Sequence, residues 1–321
     1  IATINSNGAL KVFIYRQLVG QGVNVTRMKS KWLILFIVFG LILTACGGGS
    51  DDAAEVEEVV AEEPAETLDA PATTAAAAEP EADPASICLV LDIGGLGDLS
   101  FNDLAYSGYE KAIADFGMEG TFLEPDGGGE NRGELLELCA EAGNDLIIGN
   151  GFLFDASMNE VAPNYPDLNF AITDGVAEPA NVRGMLFDHA EGSFLAGVAA
   201  ALKSTNNHVG FLGGVDFPLI HEFEQGFIAG VQAINPDIVI EIGYASVAPD
   251  FSGFNDVVKG KEIALAQYEA GADVIYHAAG GTGTGMFEAA KEVSESTGTK
   301  VWGIGVDFDQ YYQVGNALPE L

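Results

Sequence analysis

Residues 87–109, ICLVLDIGGLGDLSFNDLAYSGY, limit the fold more than any other stretch of the chain. An apolar run from Ile87 to Ile93 is interrupted by one carboxylate, Asp92. Such a run reads as a buried parallel strand. The turn Gly94-Gly95-Leu96-Gly97 follows, then the polar segment Asp98-Leu99-Ser100-Phe101-Asn102-Asp103, then a helix to about Phe116. In open α/β sheets, ligands bind beyond the carboxyl ends of the strands. This stretch sets Asp92, Ser100, Phe101, Asn102 and Tyr106 around such a mouth.

The alternation continues. Strands are predicted over 121–124, 146–148, 168–173 and 182–187, with helices over 131–142, after the Gly149–Asp155 turn, and over 192–203. The helix at 131–142 shows an apolar face of Leu135, Leu136, Leu138 and Cys139. The pattern then restarts. Strands are predicted over 209–212, 239–244, 274–278 and 301–306, with helices over 219–233, 254–270 and 286–296. Turns are predicted over 213–218 and 279–285. Alternation of this kind means an α/β fold with parallel sheets covered on both faces. Two successive runs predict two doubly wound lobes, 86–188 and 189–306, with a ligand cleft between them.

The rest of the chain reads differently. Residues 28–45 have a charged start at Lys29 and Lys31, an apolar core too short for the roughly 20 residues of a spanning helix, and small residues before Cys46. Leu43-Thr44-Ala45-Cys46 is similar to a lipoprotein signal-peptidase site, which implies lipidation at Cys46 and a lipid-anchored protein facing the periplasm or cell exterior. Residues 1–27 are then upstream of the expected start at Met28. Residues 46–85 form an acidic, Ala/Glu/Pro-rich tether, expected to be disordered, that would span roughly 35 Å as a flexible coil.

Thirteen Lys and Arg stand against 48 Asp and Glu, a net charge of −35. Residues 86–321 alone hold 36 acids and eight bases. That balance argues against nucleic acid or anionic lipid as a surface partner. It fits a solvated acidic surface, with a saline habitat as the sharper reading. Cys88 and Cys139 both fall on apolar periodic positions and read as two separate buried thiols, with a disulfide between them as the competing reading. No Cys/His spacing suggests a metal.

Six motifs occur in one order. They are Asp92 with Asp98-Leu99-Ser100-Phe101-Asn102; Gly149-Asn150-Gly151-Phe152; Glu191-Gly192-Ser193-Phe194-Leu195-Ala196-Gly197; the run from Val209 through Phe217-Pro218 to His221; Ala278-Ala279-Gly280-Gly281-Thr282-Gly283; and Gly305-Val306-Asp307-Phe308-Asp309-Gln310. Together they resemble the basic membrane protein family, substrate-binding lipoproteins of ABC transporters with a type I periplasmic-binding-protein fold. Several members bind purine nucleosides. The resemblance implies two lobes joined by three crossovers, with 307–321 beginning a return to the first lobe. It also implies a ligand-reaching lysine in a final segment, expected to lie past Leu321. The implied partners are a purine nucleoside of the guanosine, inosine or adenosine class, a permease and an ATPase. No cofactor and no chemistry of its own are implied.

A nucleoside needs aromatic faces for its base and acceptors for its ribose hydroxyls. Base–aromatic stacking contributes about 1–3 kcal/mol, and hydrogen bonds to charged groups about 1.5–3 kcal/mol. The resemblance assigns Phe254 as the second-lobe aromatic. Phe101 or Tyr106 is the first-lobe candidate, and spacing does not decide between them. Asp92 and Asp307, each at the end of an apolar strand, are the ribose acceptors, and Asn102 would bridge sugar and base. Asp155 could accept from a purine N1–H and amino group, or simply interact with its own helix dipole. Gly280 and Gly281 allow close backbone approach. An enzyme is the first rival, but His189, His208, His221 and His277 are scattered, and Gly281-Thr282-Gly283-Thr284-Gly285 lacks the Lys-Ser/Thr of a phosphate-binding loop. A lipoprotein sensor for a small ligand is a second rival, and a receptor of the same fold for a sugar or another metabolite is a third.

Overall fold

β-branched and leucine-rich runs form the strands, and glycines and acidic residues end them. The computed structural model describes residues 84–311, together with two short backbone strands near the start. The chain divides into two units, Ile1–Ala75 and Ala76–Leu321. In the first, β1 (Ala2–Ile4) pairs antiparallel with β2 (Leu10–Val12). The expected signal segment 28–45, Cys46, the tether apart from its last two residues, and 312–321 lie outside the described residues.

The second unit opens with β3 (Ser86–Val90), buried from Ile87 onward. It continues through α1 (Phe101–Phe116), β4 (Glu119–Leu123), α2 (Arg132–Glu141), β5 (Leu146–Gly149), α3 (Asp155–Val161), β6 (Asn169–Thr173) and β7 (Val182–Met185). These five strands form one parallel sheet in the order β4-β3-β5-β6-β7. The chain then passes into α4 (His189–Lys203), β8 (His208–Asp216), α5 (Pro218–Ile234), β9 (Val239–Val247), α6 (Val257–Ala270), β10 (Val274–Ala278), α7 (Gly283–Thr297) and β11 (Trp302–Ile304). Their parallel sheet runs β11-β10-β8-β9. Each sheet has the doubly wound character expected of its lobe, since β3 and β8 begin centrally and later strands add on both sides. Among the described residues, no helix is long and apolar enough to cross a membrane.

Several local expectations change. The predicted turn at 213–218 is strand as far as Asp216, because Gly213, Val215 and Asp216 pair with Tyr244, Ser246 and Val247 on β9. The glycine turn after Ala279 is a short 3₁₀ turn over Gly280–Thr282 running directly into α7, so Gly283 and Gly285 are helical. Phe254 precedes α6 in its own 3₁₀ turn, Ser252–Phe254. On α2, Leu135, Leu136 and Cys139 are buried, whereas Leu138 faces solvent.

Cys88 and Cys139 are joined in a disulfide, with Cα atoms 5.8 Å apart, rather than standing as separate thiols. Periodicity put both on the core face. It could not report that β3 and α2 bring them opposite each other, inside a cluster with Leu136, Ile147, Phe154 and Met158. The bridge closes a separation of 51 residues. Reduction is therefore expected to lower unfolding free energy by about 2–4 kcal/mol. Urea melts with and without reductant check this, and unchanged midpoints would show that the bridge adds nothing.

Candidate functional site

The carboxyl ends of both sheets face one cleft, with about 670 Å³ of non-atom space that is partly open to solvent. One wall brings Asp92, Ile93, Asp98, Phe101, Asn102, Phe152 and Asp174 from the first lobe. The other brings Leu219, Ile220, Phe223, Phe254, Gly280 and Asp307. Of the sequence candidates, Asp92, Phe101, Asn102, Phe254 and Asp307 thus line one space.

Asp92 is buried just past β3. Its Oδ1 accepts from the Ile93 N–H at 2.7 Å and from Arg132 Nε at 2.9 Å, and Arg132 Nη2 donates to the same oxygen. Burial raises its pKa, and the Arg132 charge opposes the rise. Oδ2 points the other way: a Cβ at Gly151, whose φ is +126°, would stand 2.9 Å from it and 3.4 Å from the Phe101 ring. Only glycine leaves that approach clear.

Asn102 is fully buried, and its side chain is engaged within the protein. Its Oδ1 accepts from the Asp92 N–H at 2.9 Å and from Asn150 Nδ2 at 3.3 Å. Its Nδ2 donates to the Ile93 carbonyl and to Asp98 Oδ2. Asp98 in turn accepts from the N–H groups of Ser100, Asn102 and Asp103 at the start of α1. Asn102 therefore organises the loop that carries Asp92 and Phe101, and it also lines the cleft.

Asp307 follows β11 with φ +63° and accepts from Ser100 Oγ at 2.8 Å across the lobes. Although the residue keeps exposed surface, desolvation of its carboxyl pushes it up to about 6. The Ser100 hydrogen bond opposes that rise, and the charges of Asp98 and Asp174 reinforce it.

Three sequence candidates lie elsewhere. Tyr106 is five residues after Phe101, which on a helix turns it well away from the Phe101 face. It packs against Phe122 of β4, with ring centroids 4.9 Å apart, and against Tyr109. Phe101 is the first-lobe aromatic that reaches the cleft. Asp155, the first residue of α3, accepts from the Val176 N–H at 3.1 Å and is not in the cleft lining. Gly281 is buried immediately behind Gly280, which supplies the lining backbone.

The cleft also holds groups that sequence reasoning missed. Asp174, at the end of β6 with φ +56°, lines the wall. Its buried Oδ1 accepts no hydrogen bond from the described residues. His189 Nε2 lies 3.1 Å from that oxygen, near enough for an ion pair but out of line for a hydrogen bond. Burial works against a charged His189 ring, yet Asp174, helped by Glu222 and Asp307, raises its pKa overall. The ring stacks on Phe223, 4.5 Å between centroids. Phe152 stacks on Phe217 of the facing lobe at 4.8 Å and meets Phe251 and Phe254 edge-on. The strand-end position of Asp174 and the Gly-Asn-Gly-Phe motif were the available signals for Asp174 and Phe152. Among the described residues, no group of three or more His, Cys, Asp or Glu is arranged to hold a metal.

A two-lobed parallel fold with an aromatic, carboxylate-lined cleft is an arrangement for enclosing a small polar molecule. Residues 86–318 match the family model for ABC transporter substrate-binding proteins of the PnrA-like type. The chain belongs to the Bmp family. Members of the Bmp family are substrate-binding proteins of ABC transport systems rather than enzymes. The chain is 35% identical over 286 residues to a CD4+ T-cell-stimulating antigen of Listeria innocua, covering 87% of this chain and 72% of that protein. It is 36% identical over 234 residues to the ABC transporter nucleoside-binding protein BmpA of Lactococcus lactis, covering 70% and 64%. A solved solute-binding protein of an ABC transporter system from Aeropyrum pernix superposes with a TM-score of 0.64 at 32% identity, covering 71% of this chain and 64% of that one.

The raised Asp307 carboxyl has a testable sign. It binds a proton more readily in the folded protein than in the unfolded chain, where aspartate titrates near 3.9. Its ionisation therefore opposes folding. The penalty is absent below about pH 3.9, grows as pH rises toward about 6, and is complete above. Asp307→Asn is expected to raise the Tm of ligand-free protein at pH 7.5, with the two curves converging toward pH 4.5. Parallel curves across that range would contradict this.

Proposed function

We propose that this Bmp-family protein captures a purine nucleoside between its lobes and delivers it to an ABC permease powered by a separate ATPase. It does so outside the cytoplasm, held to the membrane through lipid on Cys46. The observation that carries the ligand reading is the composition of the cleft: Phe101 and Phe254 from opposite lobes, with Asp92, Asp174 and Asp307 between them. Aromatic rings suit a flat base. Carboxylates suit ribose hydroxyls and the N–H groups of a purine edge. The nucleoside-binding name of the Lactococcus lactis relative agrees.

Within this reading Asp174, rather than Asp155, is the acceptor for the base edge, because its Oδ1 is buried in the cleft wall without a hydrogen bond. Gly214 leaves room for the Phe254 ring, since an added Cβ there would stand 2.6 Å from it. Lobe closure supplies the capture step. Ligand bridging both walls favours the closed state by its differential affinity.

A thermal-shift panel tests this. Guanosine, inosine, adenosine, cytidine, ribose and several sugars form the panel. At one hundred times Kd a ligand adds about 2.7 kcal/mol, or about 5–11 °C at this size. A rise with purine nucleosides is expected. A rise with a sugar alone would overturn the nucleoside reading and keep the transport class. Asp174→Asn is expected to weaken preference for guanosine and inosine over adenosine, and Asp155→Asn to leave it unchanged. The reverse pattern would return the base site to Asp155.

A further inference from the structure

Among the described residues, Arg132 is the one permanently charged side chain that reaches a carboxylate of the cleft from behind its wall. It stands at the start of α2, is largely buried, and is not part of the cleft lining. Its guanidinium is fixed on three sides. Nε and Nη2 both donate to Asp92 Oδ1, Nη1 donates to the Gly129 carbonyl at 2.8 Å, and the planar group lies 5.7 Å over the Phe154 ring. That leaves Asp92 Oδ2 on the side of Gly151 and Phe101.

We infer that Arg132 is a positioning residue of the ligand site, which grips Asp92 by one oxygen so that the other is presented to the cleft as a charged acceptor. This rests on the proposal that Asp92 accepts from a ligand hydroxyl. A planar fork suits the task better than an ammonium, because two donors converging on one oxygen fix the carboxylate's rotation. The disulfide reinforces the arrangement. Cys88 is four residues before Asp92, on β3, and Cys139 is seven residues after Arg132, on α2. At about 3.3 Å and 1.5 Å per residue, the bridge joins the same two elements roughly 10–13 Å below the ion pair.

Removing Arg132 acts on Asp92 in one direction. Burial already favours the neutral acid there, and Arg132 is the charge opposing it. The other ionisable groups sharing the cleft are Asp98, Asp174 and Asp307, all acids, with His189 paired to Asp174. None can replace the lost positive charge at Asp92.

The test compares wild type with Arg132→Lys and Arg132→Gln at pH 5.5 to 8. One readout is calorimetric affinity for the nucleoside that binds wild type. The other is the ¹³C carboxyl titration of Asp92, assigned by its loss in Asp92→Asn. The expected order of affinity is Arg, then Lys, then Gln. Gln is expected to lose about 10-fold or more at pH 7, with the loss deepening as pH falls. The Asp92 midpoint is expected to rise in the same order. Should the Gln variant not fold, the Lys variant carries both comparisons. Equal affinities and coincident Asp92 midpoints among the folded variants would overturn the inference. If no nucleoside binds wild type, the proposed function fails by itself, and the carboxyl titration still decides the role of Arg132.

Discussion

The structure turns on how three carboxylates are held at the mouth of two parallel sheets in a protein that already carries a net charge of −35. Asp92, Asp174 and Asp307 each end or follow a strand, and each faces the same cleft. A carboxylate withdrawn from water without partners becomes neutral rather than charged. Here each is tied at one oxygen. Arg132 holds Asp92, His189 stands beside Asp174, and Ser100 donates to Asp307. The partners stabilise the charged forms only in part, as the raised Asp92 and Asp307 show. On the proposed reading, the acceptor capacity left over, at Asp92 Oδ2 and at the Asp174 Oδ1 that accepts no hydrogen bond, is what a ligand meets, and the groups that hold these carboxylates stand outside the cleft lining.

Backbone geometry serves the same end. Asp174 and Asp307 both have left-handed φ, +56° and +63°, a conformation that aspartate tolerates better than most residues. Leu99, with φ +55°, is a sharper departure, since a bulky side chain rarely adopts it. Its carbonyl accepts from Gln310 Nε2 at 2.9 Å, and the next residue supplies the hydroxyl that binds Asp307. The Gln310 Oε1 meets His277 Nε2 at 2.9 Å and the Val306 N–H at 3.0 Å. Burial lowers His277 to about 4 and keeps the ring neutral, and since an amide oxygen only accepts, Nε2 carries the ring proton. The unusual backbone at Leu99 is thus held through its carbonyl, through Ser100 beside it, and through its own N–H, which donates to Asp103 Oδ2 at 3.0 Å. Strain of this kind persists only where the surroundings over-determine it.

What the sequence made legible follows from which signals are local. Strand ends were readable, because an apolar run that stops at an aspartate gives the position of Asp92 and Asp307 without tertiary information. The two sheets followed from alternation alone. Side-chain direction on α1 was not readable. Phe101 and Tyr106 are both aromatic and close in sequence, and only the packing of Tyr106 on Phe122 separates them. Asp155 and Asp174 differ in the same way. Both follow apolar runs, but α3 begins at Asp155 and turns its carboxylate to Val176, whereas the positive φ of Asp174 keeps it at the wall. Arg132 lies 40 residues from Asp92. No periodicity links them, and none links Cys88 to Cys139.

The aromatic contacts and the carboxylates divide the work of closure between them. Phe152 stacks on Phe217 and meets Phe251 and Phe254 edge-on across the mouth, geometries that add about 0.5–1.5 kcal/mol per ring pair beyond the buried area. Such contacts bring the lobes together without regard to what lies inside. The polar links between lobes, Ser100 to Asp307 and His189 to Asp174, lie at the cleft wall itself. An interaction that is equally strong with or without ligand shifts no equilibrium. On the proposed reading, discrimination comes from oxygens that remain underused when the lobes meet, and Asp174 Oδ1, beside His189 but accepting no hydrogen bond, is the clearest of them. On that same reading, a ligand that donates to it would relieve a cost of burial, so the atom that disfavours empty closure would favour filled closure.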